Sequence, residues 1–528
     1  MSTNKSSIHN VFRKINLLNE VGIALSSEKN FSSLLEQILI GAKKITHADG
    51  GTIYLLNADK KLEMVVVQTD SLDIHLGGNT NKPITFEPVN LYSEKGEPNL
   101  SMVVTRAVIE DKPINITDAY NTQGYDFSGT YEFDKSTGYH SQSFLAVPMK
   151  NHENDVIGVL QLINAKSEKT SEIIPFSDEN QHLVESLASQ AAVAITNKQL
   201  IDSLNQLFNS LVQLIATAID EKSPYTSGHC KRLPIITMLI ADAAHNTTKG
   251  AFKDFLLSND DRYELEVAAW LHDCGKLATP EYVMDKSTKL ERIVDRIELV
   301  DLRLETIKRD AEIEKLTALS QGVNSDEVNA TYEEKIKTIN EAGEFIRRHN
   351  KGGEFMHEED IEKIKNCAKL NWKDKQGVMQ PLLNQDEIDN LCIVKGTLTQ
   401  EERDIINNHI VATIKMLETL PFPKHLQNVP EYAGGHHERV DGKGFPKGLV
   451  KDEMSVQARI MAIADVFEAL TARDRPYKDP MKLSQAVSIL KNMSETGHID
   501  PDLFDVFINQ SVHINYANEH LLPEQNDL

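Results

Sequence analysis

The chain has 528 residues, too many for one hydrophobic core, and its length suits two to four domains. Charged residues at 26% and hydrophobic residues at 40%, with no apolar run near the ~18 residues that cross a bilayer, exclude a membrane-spanning or largely disordered protein. A net charge of −23 argues against broad binding to nucleic acid or anionic lipid, yet leaves room for a small anionic substrate at a local metal site.

Met1 to Lys5 are followed by no apolar stretch, so a cytoplasmic location is expected. The cysteines, Cys230, Cys274, Cys367 and Cys392, have no CxxC spacing, which argues against disulfides and a zinc ribbon.

Residues 1–15 read as an N-terminal tail and residues 16–198 as one α+β unit. Leu17, Leu18, Val21, Ala24 and Leu25, then Leu34, Leu35, Ile38, Leu39 and Ala42, have helical spacing, whereas Gly51–Leu56 and Leu62–Val67 read as strands. Ser143–Met149 and Val156–Ile163 form a later strand pair across the polar turn Asn151–Asp155. The antiparallel sheet these imply needs a helical cover.

Ile114-Asn-Ile-Thr-Asp-Ala-Tyr120, Phe133-Asp-Lys-Ser-Thr-Gly-Tyr139, the strand ending Val147-Pro148, and Val159-Leu-Gln-Leu-Ile-Asn164 resemble the GAF domains of cyclic-nucleotide phosphodiesterases and cyclases. The resemblance implies a small-molecule effector, a cyclic nucleotide or another ligand. It offers Asn164, Lys166, Phe176, Asp178 and Glu179 as the family's signature residues. Their spacing departs from the family pattern, so they read equally as a strand end and a helix cap.

From Leu183 to about Lys222 the helical pattern is unbroken. Residues 199–222 read as a connecting helix continuous with 183–198, and Ile201, Leu204, Phe208, Leu211 and Ile215 step as a heptad seam. A parallel homodimer through this helix is expected.

Residues 223–528 read as a helical domain, interrupted at about 285–394 by a charged helical insertion. Pro224 and Gly228 break the connecting helix, and a new helix begins near His229. The next apolar helix ends in Leu271-His272-Asp273-Cys274-Gly275-Lys276, which puts an imidazole and a carboxylate at the helix end that favours cations. In the insertion, Ile293, Ile297, Val300, Leu304, Ile307 and Ala311 mark one arm of a helical hairpin turning near Gln321–Ser325. A looser return path is expected from Gly352 to Lys375. Thr399 and Glu402 make a capping box for the helix that carries His409. His436 and His437 lie in a glycine-rich loop, and Asp465 sits on an apolar helix, where a carboxylate needs a partner.

His229, His272, Asp273, His409, His436, His437 and Asp465 exceed the needs of one ion, so two divalent ions bridged by Asp273 are expected. A nitrogen and oxygen shell without thiolate suits iron or manganese, and paired ions suit phosphate-ester hydrolysis. A third ion is not favoured, because Tyr225 and Thr226, rather than Asp220 or Glu221, adjoin His229.

Pro224-Tyr-Thr-Ser-Gly-His229, Leu271 to Lys276, Lys395-Gly-Thr-Leu-Thr399 with Glu401, Glu402 and His409, His436 to Pro446, and Asp465 to Lys478 resemble, in order, the HD-GYP branch of the HD phosphohydrolases. The resemblance implies an all-α domain that hydrolyses cyclic di-GMP to linear pGpG or GMP, with those seven residues as metal ligands. It also implies that Lys276 orients the hydroxide or binds phosphate, and that Arg475 and Lys478 hold the substrate phosphates. The family's Gly-Tyr-Pro is Gly444-Phe445-Pro446 here; this loop and the insertion are the expected surfaces for a protein partner. Two alternatives stay open. One is another substrate, either a cyclic dinucleotide such as 3',3'-cGAMP or a nucleotide phosphate. The other is a catalytically silent metal- and nucleotide-binding scaffold.

Overall fold

The computed structural model describes residues 2–28, 30–80, 82–222, 228–352, 355–473 and 480–528. The chain divides into two units, Met1–Leu207 and Phe208–Leu528. No described helix is long and apolar enough to cross a membrane.

The first unit opens with helix α1 (Ser2–Ser27). Residues 1–15 were expected as a tail, but no glycine or proline interrupts the chain before Gly22, and the backbone is helical from Ser2. Next comes α2 (Phe31–Thr46), which starts where the Asn30 side chain accepts from the Ser33 N–H and ends at His47 in the left-handed region.

The remaining elements of this unit are β1 (Ala48–Leu56), β2 (Lys61–Thr69), β3 (Ile74–Gly77), β4 (Val89–Asn90), α3 (Val103–Ile109), β5 (Ile114–Ile116), α4 (Ser128–Thr137), β6 (Phe144–Lys150), β7 (Val156–Lys166) and β8 (Ile173–Ile174). The strands pair antiparallel in the order β3-β2-β1-β7-β6-β5, with β4 on β2 and β8 on β7. Successive residues of β6 serve opposite faces. Leu145, Val147 and Met149 join Leu39 and Ile45 of α2, while Phe144 and Ala146 meet Val103, Val104 and Phe127 on the other side. Burial on both faces explains why these strands read as apolar runs, and the unit is the α+β sensor fold expected.

Helix α5 (Asp178–Lys222) is continuous over 45 residues. Val184, Leu187, Ala191 and Ile195 belong to the core of the first unit, and Val212, Ala216 and Ile219 to that of the second. Phe208 and Ile215 pack against that second core, which corrects the expected heptad seam. The solvent-facing 3/4 stripe is Leu200, Leu204, Leu207, Leu211 and Leu214, whose exposure runs from 48% at Leu211 to 63% at Leu204.

The second unit contains α6 (His229–His245), α7 (Asn259–Leu271), a 3₁₀ turn at Cys274–Ala278, α8 (Glu281–Met284), α9 (Ile297–Ser320), α10 (Ser325–Asn350), α11 (Glu358–Cys367), β9 (Asn371–Lys373), β10 (Met379–Pro381) and α12 (Gln385–Leu391). It continues with α13 (Gln400–Asn407), α14 (His409–Glu418), α15 (Val429–Gly434), α16 (Val456–Thr471), α17 (Leu483–Glu495), α18 (Pro501–Asn509) and α19 (Val512–His520). Leu233, Ile236, Leu265, Ile463, Phe467 and Phe507 are among its buried core.

The insertion has a core of its own, including Leu290, Val300, Leu304, Ile339, Ile346, Leu382 and Leu391. α9 and α10 form the expected hairpin. The return path is more ordered than its polar composition suggested: it holds α11, the β9–β10 hairpin and α12, so the insertion is not purely helical. Asp374 builds the hairpin turn by accepting from the N–H groups of Gln376 and Val378, and Gly377 supplies the positive φ of 80°. At the root, the Lys286 ammonium donates to Glu402 at 2.6 and 2.9 Å and to Asn390 at 2.7 Å. The Thr397 hydroxyl donates to the Lys286 carbonyl at 2.9 Å, so the two ends of the insertion lie side by side.

Candidate metal centre

The histidines of the second unit sit at helix boundaries. His229 opens α6, His272 caps the C-terminal end of α7, His409 stands at the α13–α14 junction, and His436 and His437 follow α15. Helix C-termini leave carbonyls without intrahelical partners. Three of these rings use them: Nδ1 of His272 donates to Ala269 O at 2.8 Å, that of His436 to Ala433 O at 2.6 Å, and that of His409 to Ile406 O. A carbonyl only accepts, so each Nδ1 carries the proton, and Nε2 in the neutral ring is a bare lone pair. His229 differs: its Nδ1 lies against the buried Glu468 carboxylate, which also accepts from Arg232 at 2.7 Å.

The lone pairs converge. Ligand atoms of His229, His272 and Asp273 lie within 4.8 Å of one another, as do those of His409, His436 and His437. Asp273 spans both groups. Its Oδ2 is 3.1 Å from His272 Nε2 and 3.5 Å from His229 Nε2, while its Oδ1 is 3.2 Å from His409 Nε2. Asp465, on α16, stands 3.4 Å from His229 Nε2. All seven residues singled out from the sequence as ligands are therefore gathered in one place.

Neighbouring residues hold this geometry. The Lys276 ammonium donates to Asp273 Oδ2 at 2.5 Å. Gly275 packs so tightly against α14 that a Cβ would lie 1.9 Å from His409 O, and its N–H donates to the Thr413 hydroxyl. Phe445 stacks on His437, with ring centroids 4.9 Å apart and an 18° interplanar angle. Gly444 is required there, since a Cβ would meet the Arg439 nitrogen at 2.3 Å.

Electrostatics favour a cation. Burial alone would raise the Asp273 carboxyl, but Lys276 and His272 hold it well below the usual range. Asp465 is brought down to about 2, as its histidine neighbours outweigh burial. Burial, aided by neighbouring histidines, pushes His436 well down and His437 to about 4, so both rings are neutral at physiological pH. Burial would lower His229 too, yet Glu468 and Asp273 raise it to about 10, so positive charge is drawn to this position.

The donor set fits a divalent metal pair. Asp273 Oδ1 and His409 Nε2 are both buried and have no hydrogen-bond partner among the described residues, although they face each other. Two inward acceptors left bare are what a cation satisfies. Asp220, weighed and set aside as a third-ion ligand, accepts from the N–H groups of Gly228 and Cys230 and so caps α6. Arg475 and Lys478 lie outside the described residues.

Glu468 and Arg232 were not anticipated. The available signal was position: Glu468 follows Asp465 by three residues on α16, which puts both carboxylates on one helix face.

In the first unit a cavity of about 330 Å³ lies between the sheet and α4, lined by Tyr54, Phe127, Phe133, Tyr139 and Phe144, with Asp126 as its carboxylate. The five signature residues do not line it. Asn164 accepts from the N–H groups of Gln142 and Ser143 and donates to His140 O, and Lys166 pairs with Asp49. Phe176 is core, while Asp178 and Glu179 open α5, with Glu179 3.2 Å from the Lys14 ammonium. Lys166 and Asp49 instead line a second cavity of this unit, of about 740 Å³, with Lys43 and His47.

Residues 30–195 match the GAF domain family and residues 385–503 the HD domain family. The latter range holds His409, His436, His437, Asp465 and Glu468; His229, His272 and Asp273 precede it, across the insertion. The chain is 45% identical over 83 residues to 3'3'-cGAMP-specific phosphodiesterase 1 of Vibrio cholerae, covering 16% of this chain and 19% of that protein. It is 38% identical over 125 residues to a probable cyclic di-GMP phosphodiesterase of the same organism, covering 23% and 28%. It is 24% identical over 362 residues to 3'3'-cGAMP-specific phosphodiesterase 3 of that organism, covering 67% and 52%. The matches thus span from about a fifth to about half of the length of these relatives.

Proposed function

We propose that the chain is a metal-dependent phosphodiesterase that opens a cyclic dinucleotide, cyclic di-GMP first, to linear pGpG or GMP under control of its GAF unit. The observation that carries this reading is the Asp273 carboxylate, which offers one oxygen to each of two histidine groups. His229, His272 and Asp465 would hold one ion and His409, His436 and His437 the other, with Asp273 shared. Iron or manganese is the choice suited to this shell. A bound metal pair supplies water activation near neutral pH and charge for the phosphate oxygens.

The chain's own residues do the rest. Nδ1–H bonds fix three imidazoles in the ligand tautomer. The Lys276 ammonium, beside Asp273, is positioned to stabilise charge on a phosphate oxygen or to orient the attacking group, and Arg475 and Lys478 are assigned to the substrate phosphates. Phe445 steadies the His437 ring in place of a tyrosine.

The exposed leucine stripe of α5 supports a parallel homodimer, and the aromatic-walled cavity supports a small effector as regulator. The loop at Gly444-Phe445-Pro446 and the insertion remain the surfaces assigned to a protein partner. A cytoplasmic location is part of this reading.

A second reading keeps the reaction and exchanges the substrate for 3',3'-cGAMP, because two relatives are named as specific for it. Iron- or manganese-loaded protein, compared on both cyclic dinucleotides by kcat/KM, separates the two; no product from either removes the proposal.

A further inference from the structure

Lys222 is the last residue of α5, and its ammonium donates to three backbone carbonyls: Lys276 O at 3.0 Å, Leu277 O at 2.6 Å and Thr279 O at 2.6 Å. An ammonium has three N–H donors, and here each has an acceptor. All three acceptors belong to the 3₁₀ turn at Cys274–Ala278 and the residue that caps it; Lys276 O also accepts from the Thr279 N–H at 3.1 Å.

That turn is held on its other side as well. Gly275 lies against His409 O and Thr413, with no room for a Cβ, and its N–H donates to the Thr413 hydroxyl at 2.9 Å. The turn also carries Lys276, whose ammonium contacts Asp273. It is thus gripped between the end of α5 and α14, the helix that begins with His409. The Lys222 side chain gives a displacement of the α5 terminus a direct hydrogen-bonded route to the turn.

We propose that Lys222 is a positioning residue: by clamping residues 276–279 it sets where Lys276 stands relative to Asp273, and so couples the state of α5 to turnover. The inference rests on the phosphodiesterase reading for its consequence but not for the contact itself. Loss of the ammonium removes a donor from each of the three carbonyls and loosens the turn, while the candidate ligand histidines keep their Nδ1–H bonds. Chemistry should suffer more than substrate capture, because an ångström-scale misplacement of a charge-stabilising group acts on the transition state.

The test compares full-length wild type with Lys222→Met, Lys222→Arg and, as a control on the same helix, Lys198→Met, which removes only an exposed pair with Asp202. Three quantities are read: hydrogen exchange of the 274–280 amides, bound manganese, and kcat and KM on cyclic di-GMP. Lys222→Met is expected to speed exchange in that segment about tenfold or more, to retain manganese, and to lower kcat about tenfold with KM within about twofold. Lys222→Arg keeps charge and donors and should recover most of both effects, and Lys198→Met should match wild type. If Lys222→Met unfolds the second unit, Lys222→Gln, which removes the charge but keeps one amide donor, takes its place with the same expected changes. Exchange and kcat unchanged in Lys222→Met, or equal losses in the methionine and arginine variants, overturn the proposal. Exchange and metal content need no substrate, so they decide the clamp even if cyclic di-GMP is not turned over.

Discussion

Asp273 Oδ1 and His409 Nε2 face each other at 3.2 Å, both buried, and neither makes a hydrogen bond among the described residues. Buried polar atoms left unsatisfied cost about 1–3 kcal/mol each. A cation held by Asp273 and His409 would convert that cost into binding energy. Because both Asp273 oxygens are committed, its loss differs in kind from the loss of a single imidazole. Asp273→Ala should abolish binding of both ions, whereas His272→Ala should remove mainly one. Metal content per chain by elemental analysis, after manganese loading and desalting, checks this; equal stoichiometry in the two variants would refute the shared-carboxylate geometry.

Glu468 would act on a bound metal through His229. Its carboxyl is held down at about 2, since His229 and Arg232 outweigh the burial that would raise it, so it is an anion throughout the working pH range. Glu468→Gln keeps the shape and removes the charge. The expected result is a roughly 10–100-fold weaker metal affinity with little change in fold, measured by competition with a chelator.

Lys276 contributes charge at the site rather than ligation. Lys276→Met should leave both ions bound and lower kcat by about 10²–10³, the size seen when a donor to a developing oxyanion is removed. Steady-state kinetics alongside metal analysis separates this from a ligand defect, in which metal and activity fall together.

The exposed leucine stripe of α5 is the seam of the proposed dimer. Leu204, the most exposed of its leucines at 63%, would lie in the middle of a two-stranded seam. Leu204→Glu should shift the protein from dimer to monomer in sedimentation velocity while Phe208→Glu, aimed at the core of the second unit, should instead unfold it. A wild-type monomer at micromolar concentration would contradict the assignment.

Much of the site was legible in the sequence because its histidines and Asp273 stand at helix ends, several marked by local signals: Gly228 before His229, Gly275 after Asp273, the capping box before His409. Glu468 was harder, because its partner His229 lies 239 residues away and nothing local marks the pairing. The α5 seam was misread for a related reason. The helix carries two apolar stripes, and spacing alone cannot tell that Phe208 and Ile215 are taken by a core formed from distant helices. The hairpin at β9 and β10 was hidden by polar residues, since a small satellite core needs few apolar side chains. The GAF fold was readable from its runs of buried strand, and Asn164 and Lys166, offered as ligand residues, also tie β7 to its neighbours.

The central claim is hydrolysis of a cyclic dinucleotide at a metal pair that shares Asp273. Protein loaded with iron or manganese, incubated with cyclic di-GMP and with 3',3'-cGAMP and followed by chromatography, tests it most directly. Linear dinucleotide or mononucleotide should appear with wild type, and none with Asp273→Ala or after chelation. Metal-replete wild type that yields no product from either substrate, indistinguishable from the Asp273→Ala control, would contradict it.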